Sequence, residues 1–279
     1  MTIFTTRFAP SPTGLLHRGH AFAALTAHDA ARAANGRFLL RIEDIDATRC
    51  RPTFESAILE DLAWLGLEWE QPVRRQSEHL PDYQAAIDGL AERGLLYRCF
   101  RTRREIAETI ASAPHGAMET WRGAPLPADD EARRLAAGEA FAWRLSLDAA
   151  LTAVGPLTFL EEGSGPDGEA GVITARPELG GDVVLARRDV GVAYHLAVTL
   201  DDALQGVTHV IRGQDLFEAT HVQRLLQALL GLPTPVYRHH RLLTGPDGKR
   251  YAKRDHAETL AELRAAGVTP DKLRAEMGL

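Results

Sequence analysis

The sequence predicts an α/β fold that opens with a nucleotide-binding β-loop-α-β unit, and three adjoining segments predict it. Residues 2–8 alternate loosely, as a short strand does, and a turn-prone Pro-Ser-Pro-Thr-Gly follows at 10–14. Residues 17–35 are rich in alanine and favour a helix, which Gly36 is expected to end. Residues 37–42, RFLLRI, then indicate a buried strand, so that one helix connects two strands of a sheet.

Stop signals and apolar runs predict the remaining elements. Helices are expected at 52–65 and 81–93 (each followed by glycine), after a capping box at Thr102 and Glu105, at 128–137, at 218–230, and from starts near Glu258 and Pro270. Strands are expected at 141–147, 183–185, 192–200 and 207–211, with a loop at 161–171.

The order of these elements predicts three parts of the chain. Residues 1–97 and 182–215 would form the sheet domain. Residues 98–181 would form an inserted subdomain, because the chain turns polar and loses periodicity from 112 to 138. Residues 216–279 would form a short helical end that carries a basic loop.

Composition excludes several classes of protein. The 279 residues are 45% hydrophobic and 25% charged, so the chain is not intrinsically disordered. A net charge of −6 argues against a polybasic, histone-like binder but leaves room for a local basic patch. Two cysteines cannot make a disulfide framework, which fits a cytoplasmic setting. No apolar run reaches the roughly 20 residues that span a bilayer, so no membrane partner is expected.

The strongest local motif is His17-Arg18-Gly19-His20, at the start of the first helix. Two histidines three positions apart share one face of the first turn, and the free N–H groups of a helix N-terminus attract anions. Gly19 would let a ligand approach closely. Alone, the motif would more often be two surface histidines. After a strand and a Ser-Pro-Thr-Gly turn, it indicates a site for a phosphate or an adenine nucleotide.

A basic loop is the second motif. Residues 248–254, GKRYAKR, place four cations within six positions just after a turn, as a mobile anion clamp would. Taken alone, such a segment is more often a solvated loop. Two further basic clusters, at 98–104 and 238–241, could contact RNA phosphates or simply face solvent.

Charged residues also stand at the ends of predicted strands. Arg7 and Arg212 are embedded in apolar sequence, Glu43 follows the RFLLRI strand, and Asp201-Asp202 follow the strand expected at 192–200. The carboxyl ends of strands in α/β sheets face the ligand crevice, so these side chains could share a polar site. Any one of them alone would more often be a solvated loop charge.

Four separated blocks of the sequence resemble the catalytic core of glutamyl-tRNA synthetases, a class I aminoacyl-tRNA synthetase family. They occur in the order RFAPSPTGLLHRGH, RIEDID, YHLAVTLDDALQGVTHVIRGQDL and GKRYAKR. Residues 17–20 match the family's HIGH motif, and residues 250–254 stand where its KMSKS motif would be. The resemblance implies a Rossmann-like catalytic domain and a ligase that uses ATP with Mg²⁺.

The resemblance also implies a role for each matching residue. The glutamate substrate would be bound by Arg7, Ala9, Ser11, Glu43, Tyr194 and Arg212. ATP would be bound by His17, Gly19, His20, Arg250 and Lys253, of which His17, His20 and Lys253 would be catalytic. The arginines would hold carboxylates, and Glu43 would hold the α-ammonium group. The implied chemistry is formation of an adenylate and then transfer, without an enzyme nucleophile.

Two departures from the family's pattern lie in or near the implied site. The KMSKS position has Arg250 for the first lysine and Ala252 for the serine, which keeps a charge but loses a hydroxyl contact. His195 follows Tyr194 where related modifying enzymes usually have glutamine.

A third departure concerns the family's structural zinc site. The Cys-x-Cys pair is replaced by Cys99-Phe100-Arg101, and the later ligand positions align with Ala117 and Trp121. A tetrahedral zinc site needs four donors, or three and a water, and His115 is a nearby histidine that could substitute. Zinc is therefore predicted to be absent, with Phe100 and Trp121 filling the vacated space.

In its length, the chain is similar to the short members of one branch of this family. The sequence ends about 25 residues after the KMSKS-like loop, without the anticodon-reading helical domain of full-length members. That branch attaches glutamate to the queuosine base in the anticodon loop of tRNA(Asp). We therefore expect tRNA-independent activation of glutamate, followed by transfer to that base. The alternatives are a truncated enzyme that charges a tRNA 3′ end, a catalytically dead RNA-binding relative, and a nucleotidyltransferase.

Overall fold

The computed structural model describes residues 2–112, 120–187, 191–243 and 258–279. Its strands are β1 (Thr5–Phe8), β2 (Arg37–Ile42), β3 (Glu70–Arg75), β4 (Leu96–Cys99), β5 (Ala142–Leu145), β6 (Thr158–Glu161), β7 (Gly171–Thr174), β8 (Val184–Arg187), β9 (Gly191–Val192), β10 (His209–Gly213) and β11 (Val236–His240). Its helices are α1 (Arg18–Ala33), α2 (Pro52–Trp64), α3 (Leu80–Glu92), α4 (Arg103–Ser112), α5 (Ala128–Ala136), α6 (Leu147–Ala153), α7 (Tyr194–Leu204), α8 (Phe217–Leu230), α9 (Leu260–Ala265) and α10 (Pro270–Met277). No helix within these ranges is both long and apolar enough to cross a bilayer.

A parallel sheet carries the first half of the fold. β1 pairs with β2 and β2 with β3, all in parallel, and α1 and α2 make the crossovers. β10 lies on the other side of β1, where the Thr208 N–H donates to the Thr5 carbonyl oxygen over 2.9 Å. β10 belongs to a second sheet of order β10-β11-β6-β7, in which β10, β11 and β6 run parallel and β7 runs antiparallel to β6. The predicted α/β class is confirmed.

The end of α1 differs from the prediction. The left-handed backbone that ends this helix is at Asn35, where φ is 47°, rather than at Gly36. Gly36 is required for close approach instead, because a Cβ there would lie 2.3 Å from the Phe4 carbonyl oxygen. Glycine therefore lets β2 begin directly against the segment that leads into β1.

Most other helices follow the predicted stop and start signals. The capping box is present, with the Glu105 N–H donating to Thr102 Oγ1 over 3.2 Å and the Thr102 N–H to Glu105 Oε2 over 2.6 Å. The two final helices begin behind caps at Thr259 and Thr269. Helices α2, α3, α5 and α8 match the predicted spans to within about two residues at either end.

The strand predicted at 192–200 is wrong, because most of that run belongs to α7. Residues 196–199 are all buried, so the run has no polar face whose spacing would distinguish a helix from a strand. As a consequence, Asp201 and Asp202 lie in the last turn of a buried helix and do not follow a strand.

β11 was not predicted, and it lies inside the segment expected to be a helical end. Its VYRHH sequence is mostly polar, yet Tyr237 and His239 are buried and their neighbours are partly exposed. A buried histidine conceals the alternation that marks a strand. The strands β3, β4, β6 and β7 were also not predicted.

A third sheet is antiparallel and has the strand order β4-β5-β8-β9. It shares an apolar core with α3, α7 and α8, in which Leu90, Leu145, Leu185, Leu196 and Leu225 are buried. The proposed insertion at 98–181 begins within β4, while its β6 pairs with β11 through Glu161 and Tyr237. We retain the division into domains as a proposal. Strand pairing joins the proposed insertion to the second and third sheets.

Candidate functional site

A cavity of about 450 Å³ lies where β1, β2, β10 and β11 end and α1 begins. Eight of the predicted site residues line it, namely Arg7, Ala9, His17, Gly19, His20, Glu43, Tyr194 and Arg212. Ser11 is exposed and is not among the lining residues. Arg250 and Lys253 lie outside the described residues, as does the rest of the KMSKS-like loop. The structure thus brings together one group of residues that the sequence places up to about 200 positions apart.

A buried ionic network supports the amino-terminal side of this cavity. Asp202 Oδ1 accepts from Arg7 Nε over 2.9 Å and from Arg41 Nη1 over 2.8 Å. Arg41 is fully buried, and its Nη2 also lies 3.4 Å from Glu43 Oε1. Burial alone would raise the pKa of Asp202, but the two guanidinium groups hold it below its ordinary value. Asp202 therefore stays charged and fixes Arg7 beside the cavity.

Glu43 has the opposite electrostatic balance. Burial raises the pKa of this carboxyl group, and the nearby Arg41 and Arg7 offset that effect only in part. Because burial disfavours the charged form of Glu43, a cationic ligand that stabilises this carboxylate would bind well beside it. The α-ammonium group of an amino acid is a ligand of this kind.

Arg212 is the second guanidinium group of the cavity. Its Nε donates to His239 Nε2 over 3.1 Å, and its Nη2 donates to Thr220 Oγ1 over 2.7 Å and to the Leu216 carbonyl oxygen over 3.1 Å. Its buried Nη1 has no hydrogen-bond partner within the described part of the chain. An unpaired buried donor on a fixed cation favours an anionic ligand such as a carboxylate.

Tyr194 and His195 lie at the start of α7, near Arg212. Burial raises the pKa of the Tyr194 hydroxyl. Burial, and then the charge of Arg212, lower the pKa of His195 to about 4, so this imidazole is neutral at physiological pH. His195 is not among the residues that line the cavity.

The two histidines of the HRGH motif organise the first turn of α1. The Gly19 N–H donates to His17 Nδ1 over 3.1 Å, and the His17 N–H donates to His20 Nδ1 over 3.2 Å. This is a capping box built from two imidazoles, whose ring centroids lie 3.9 Å apart. A Cβ at Gly19 would come within 3.0 Å of the His17 ring. The motif therefore builds the helix N-terminus that borders the cavity.

Three further polar residues line the cavity, Asp215, His240 and Arg241, and sequence reasoning did not assign them to the glutamate or ATP site. The cluster at 238–241 was considered a basic surface, but its members have separate environments. His239 is buried, and Arg238 pairs with Glu162 over 3.0 Å. Recognition of β11 as a strand would have revealed this alternation.

Asp182 is the central hydrogen-bond acceptor in the region that corresponds to the family's structural zinc site. Its Oδ2 accepts from the Tyr97 hydroxyl over 2.8 Å and from the Gly123 N–H over 2.7 Å, and its Oδ1 accepts from the Leu147 N–H over 3.0 Å. Trp121 Nε1 donates to the Tyr97 hydroxyl over 3.1 Å. These contacts connect β4, the start of α6 and the loop that contains Gly123 to the segment before β8.

The zinc prediction itself remains a prediction. Cys99 and Tyr97 are buried together, with Trp121 packed against them. Within the described ranges, no three His, Cys, Asp or Glu side chains are grouped as a metal site requires. Ala117 and His115 lie outside those ranges.

A second cavity, of about 540 Å³, lies in the proposed insertion and is strongly basic. The residues that line it include four arginines and two phenylalanines but no Asp or Glu, and they are Cys99, Phe100, Arg101, Thr102, Arg103, Ala140, Phe141, Ala142, Arg144, Val184 and Arg187. The predicted cluster at 98–104 is divided, because Arg98 instead pairs with Glu131, and Arg104 pairs with Glu108 over 2.8 Å.

Comparison with known proteins places the chain among tRNA synthetases. Residues 4–278 match the family described as class I tRNA synthetases (E and Q), catalytic domain. A relative from Rhodobacter capsulatus named glutamyl-Q tRNA(Asp) synthetase is 52% identical over 98% of this chain and 99% of its own length. One of the same name from Symbiobacterium thermophilum is 42% identical over 95% of this chain and 82% of its own.

Solved structures of similar fold are longer proteins. A glutamate-tRNA synthetase from Elizabethkingia anophelis superposes with a TM-score of 0.76 at 27% identity. The superposition covers 91% of this chain and 53% of that chain, so this chain spans about half the length of that structure.

The contacts of Asp182 generate a prediction about stability. Replacing Asp182 with alanine leaves three donors, two of them backbone N–H groups, without their acceptor. We expect D182A to lower the free energy of unfolding by about 3 kcal/mol, as measured by urea denaturation.

The matched control is D148A, since Asp148 is an exposed carboxylate that pairs with Arg122 at the surface. That change should alter stability by no more than about 0.5 kcal/mol. Equal, small losses for both variants would show that Asp182 does not hold the region together.

Proposed function

The chain belongs to the class I tRNA synthetases for glutamate and glutamine, and we propose that it attaches glutamate to the queuosine base in the anticodon loop of tRNA(Asp). The observation that carries the proposal is the pairing of two buried arginines with one buried glutamate in a single cavity beside the HRGH turn. A substrate with two carboxylates and one ammonium group matches that arrangement of charge.

In the first step, an oxygen of the glutamate α-carboxylate attacks the α-phosphorus of ATP. The bond to the bridging oxygen breaks, pyrophosphate leaves, and glutamyl adenylate remains. Arg7 and Arg212 hold the two carboxylates, and Glu43 holds the ammonium group. Because the substrate supplies the nucleophile, the protein contributes position and charge stabilisation only.

The ATP phosphates are assigned to the turn at the start of α1. His17 and His20 lie there with the helix N-terminus, where partial positive charge collects. On the strength of the family motif, Arg250 and Lys253 hold the triphosphate, and Mg²⁺ accompanies ATP as part of the substrate.

In the second step, a hydroxyl of the queuosine diol attacks the carbonyl carbon of the adenylate. The ester bond to the base forms, the bond to phosphate breaks, and AMP leaves with the electron pair. Support for this acceptor comes from the names of the relatives at 52% and 42% identity. A tRNA substrate and two free cysteines also support a cytoplasmic setting, and we propose that zinc is not required.

We assign a nucleotide of the tRNA to the second cavity. Its arginines can neutralise phosphates, and the rings of Phe100 and Phe141, whose centroids are 5.7 Å apart, can stack on an unpaired base. No Asp or Glu is among the lining residues.

The central test measures both steps with purified protein. We expect pyrophosphate exchange with ATP that depends on glutamate and is at least about tenfold weaker with glutamine, because an amide cannot replace a charge-assisted pair with Arg7 or Arg212. Radiolabelled glutamate should map to the queuosine nucleotide of tRNA(Asp) and be lost when queuosine is absent. Label at the 3′ end would favour a charging enzyme, and no exchange would indicate a catalytically dead relative.

The raised pKa of Glu43 predicts a pH dependence. As pH falls from 8 toward about 5, Glu43 gains a proton at a higher pH than an ordinary glutamate does, so its attraction for the ammonium group is lost. The KM for glutamate in the exchange reaction should therefore rise toward acid pH. E43Q should have a high KM that changes little over the same range. E162Q, a surface control, should keep the wild-type profile, and a parallel rise in E43Q would assign the effect to another group.

The assignment of the second cavity predicts a selective defect in the transfer step. R101A/R103A should raise the KM for tRNA about tenfold and reduce its salt dependence, while glutamate-dependent exchange stays unchanged. The control is R104A/R133A, which removes two exposed arginines that pair locally with Glu108 and Asp130. Equal effects of the two double variants would show that tRNA binding depends on nonspecific surface charge and not on this cavity.

A further inference from the structure

Arg212 is connected to a second buried pair that does not line the cavity. Arg212 and His239 lie opposite each other on the neighbouring strands β10 and β11, and Arg212 Nε donates to His239 Nε2 over 3.1 Å. On the next strand, β6, Glu161 Oε2 lies 2.6 Å from His239 Nδ1. His239 is 2% exposed and Glu161 is 1% exposed. Three adjacent strands therefore carry one continuous chain of hydrogen bonds.

The hydrogen-bond pattern fixes the proton on His239. Nε2 accepts from Arg212 and so carries no proton, which leaves the proton of the neutral ring on Nδ1. That proton is donated to Glu161 Oε2. Glu161 Oε1 accepts from the backbone N–H groups of His239 and Gly163, each over 2.8 Å. Burial works against its charge, but these hydrogen bonds hold the pKa of Glu161 below its ordinary value.

We propose that Glu161 and His239 are a positioning pair for glutamate binding. Glu161 selects the Nδ1–H tautomer of His239, and His239 then presents an acceptor that orients the Arg212 guanidinium group toward a substrate carboxylate. The inference rests on the proposed function, because it assigns Arg212 to glutamate. Neither member of the pair touches the substrate.

A purely structural role for Glu161 and His239 does not explain why two polar side chains are buried here. A buried carboxylate and imidazole cost more to desolvate than an apolar pair of similar size, so stability alone does not favour them here. Their hydrogen bonds instead fix the direction of one donor, Arg212 Nε. Thr220 and Leu216 hold Nη2 of the same guanidinium group, which leaves Nη1 unpaired.

The most selective variant is E161Q, which changes shape little. Its amide oxygen can still accept the backbone N–H groups, but its NH₂ group then faces His239 Nδ1. The imidazole must accept there and carry its proton on Nε2, opposite the Arg212 Nε–H. We expect the KM for glutamate in pyrophosphate exchange to rise about tenfold, with the KM for ATP unchanged.

Two variants at position 239 separate orientation from packing. H239Q can place an amide oxygen near the former Nε2 position, whereas H239L cannot accept a hydrogen bond. We expect H239Q to recover part of the glutamate affinity that H239L loses. In the wild-type protein, ¹⁵N spectra of the histidine rings should show the Nδ1–H tautomer for the signal that H239Q removes, and E161Q should shift that signal.

The matched control is H221Q. His221 is equally buried, contacts the same Phe217 ring and accepts from the Arg176 backbone N–H over 3.2 Å, but it has no contact with Arg212. H221Q should lower the melting temperature without changing the KM for glutamate. If E161Q and H239L behave like H221Q, the pair is structural and the inference fails. If wild-type protein shows no glutamate-dependent exchange, the proposed function itself fails.

Discussion

The buried Arg41 guanidinium group constrains much of this structure. It sits on a central strand with no exposed surface, and arginine does not lose its proton in proteins, so carboxylates must be brought to it. Asp202 and Asp201 meet that need, and both come from the last turn of α7. Asp202 then holds Arg7, while Arg41 lies beside Glu43. The same ion cluster thus docks a helix on the sheet and sets two charges of the proposed glutamate site.

Sequence reasoning succeeded where local chemistry decides the outcome. Caps, glycine stops and the β-loop-α-β opening predicted most helices and the first two strands, and the HRGH turn was placed at a helix N-terminus. It failed where tertiary burial overrides local pattern. α7 has no polar face to reveal its period, and β11 hides a buried histidine among charged residues. Arg41 was interpreted as part of an apolar strand, because nothing local indicates that Asp201 and Asp202 contact it from about 160 positions away.

The arginines of the two cavities differ in how firmly the surrounding protein holds them. In the first, Arg7 and Arg212 are held by buried partners, so their directions are fixed before a ligand arrives. In the second, Arg101 and Arg103 are exposed, and no carboxylate is among the lining residues. Fixed cations suit a small substrate whose carboxylates must be distinguished from amides. Adjustable cations suit a polymer, whose phosphates recur and whose backbone can adapt.

The pairing of β6 with β11 connects the proposed insertion to the proposed glutamate site. Glu161 belongs to residues 98–181, yet its hydrogen bonds end at Arg212 on the far side of β11. A minimal enzyme made by excising that segment and rejoining its ends would keep every residue that lines the first cavity. It would nevertheless lose the carboxylate that sets the His239 proton. A shortened version of this protein must therefore keep the hairpin of β6 and β7, although no residue of that hairpin lines the first cavity.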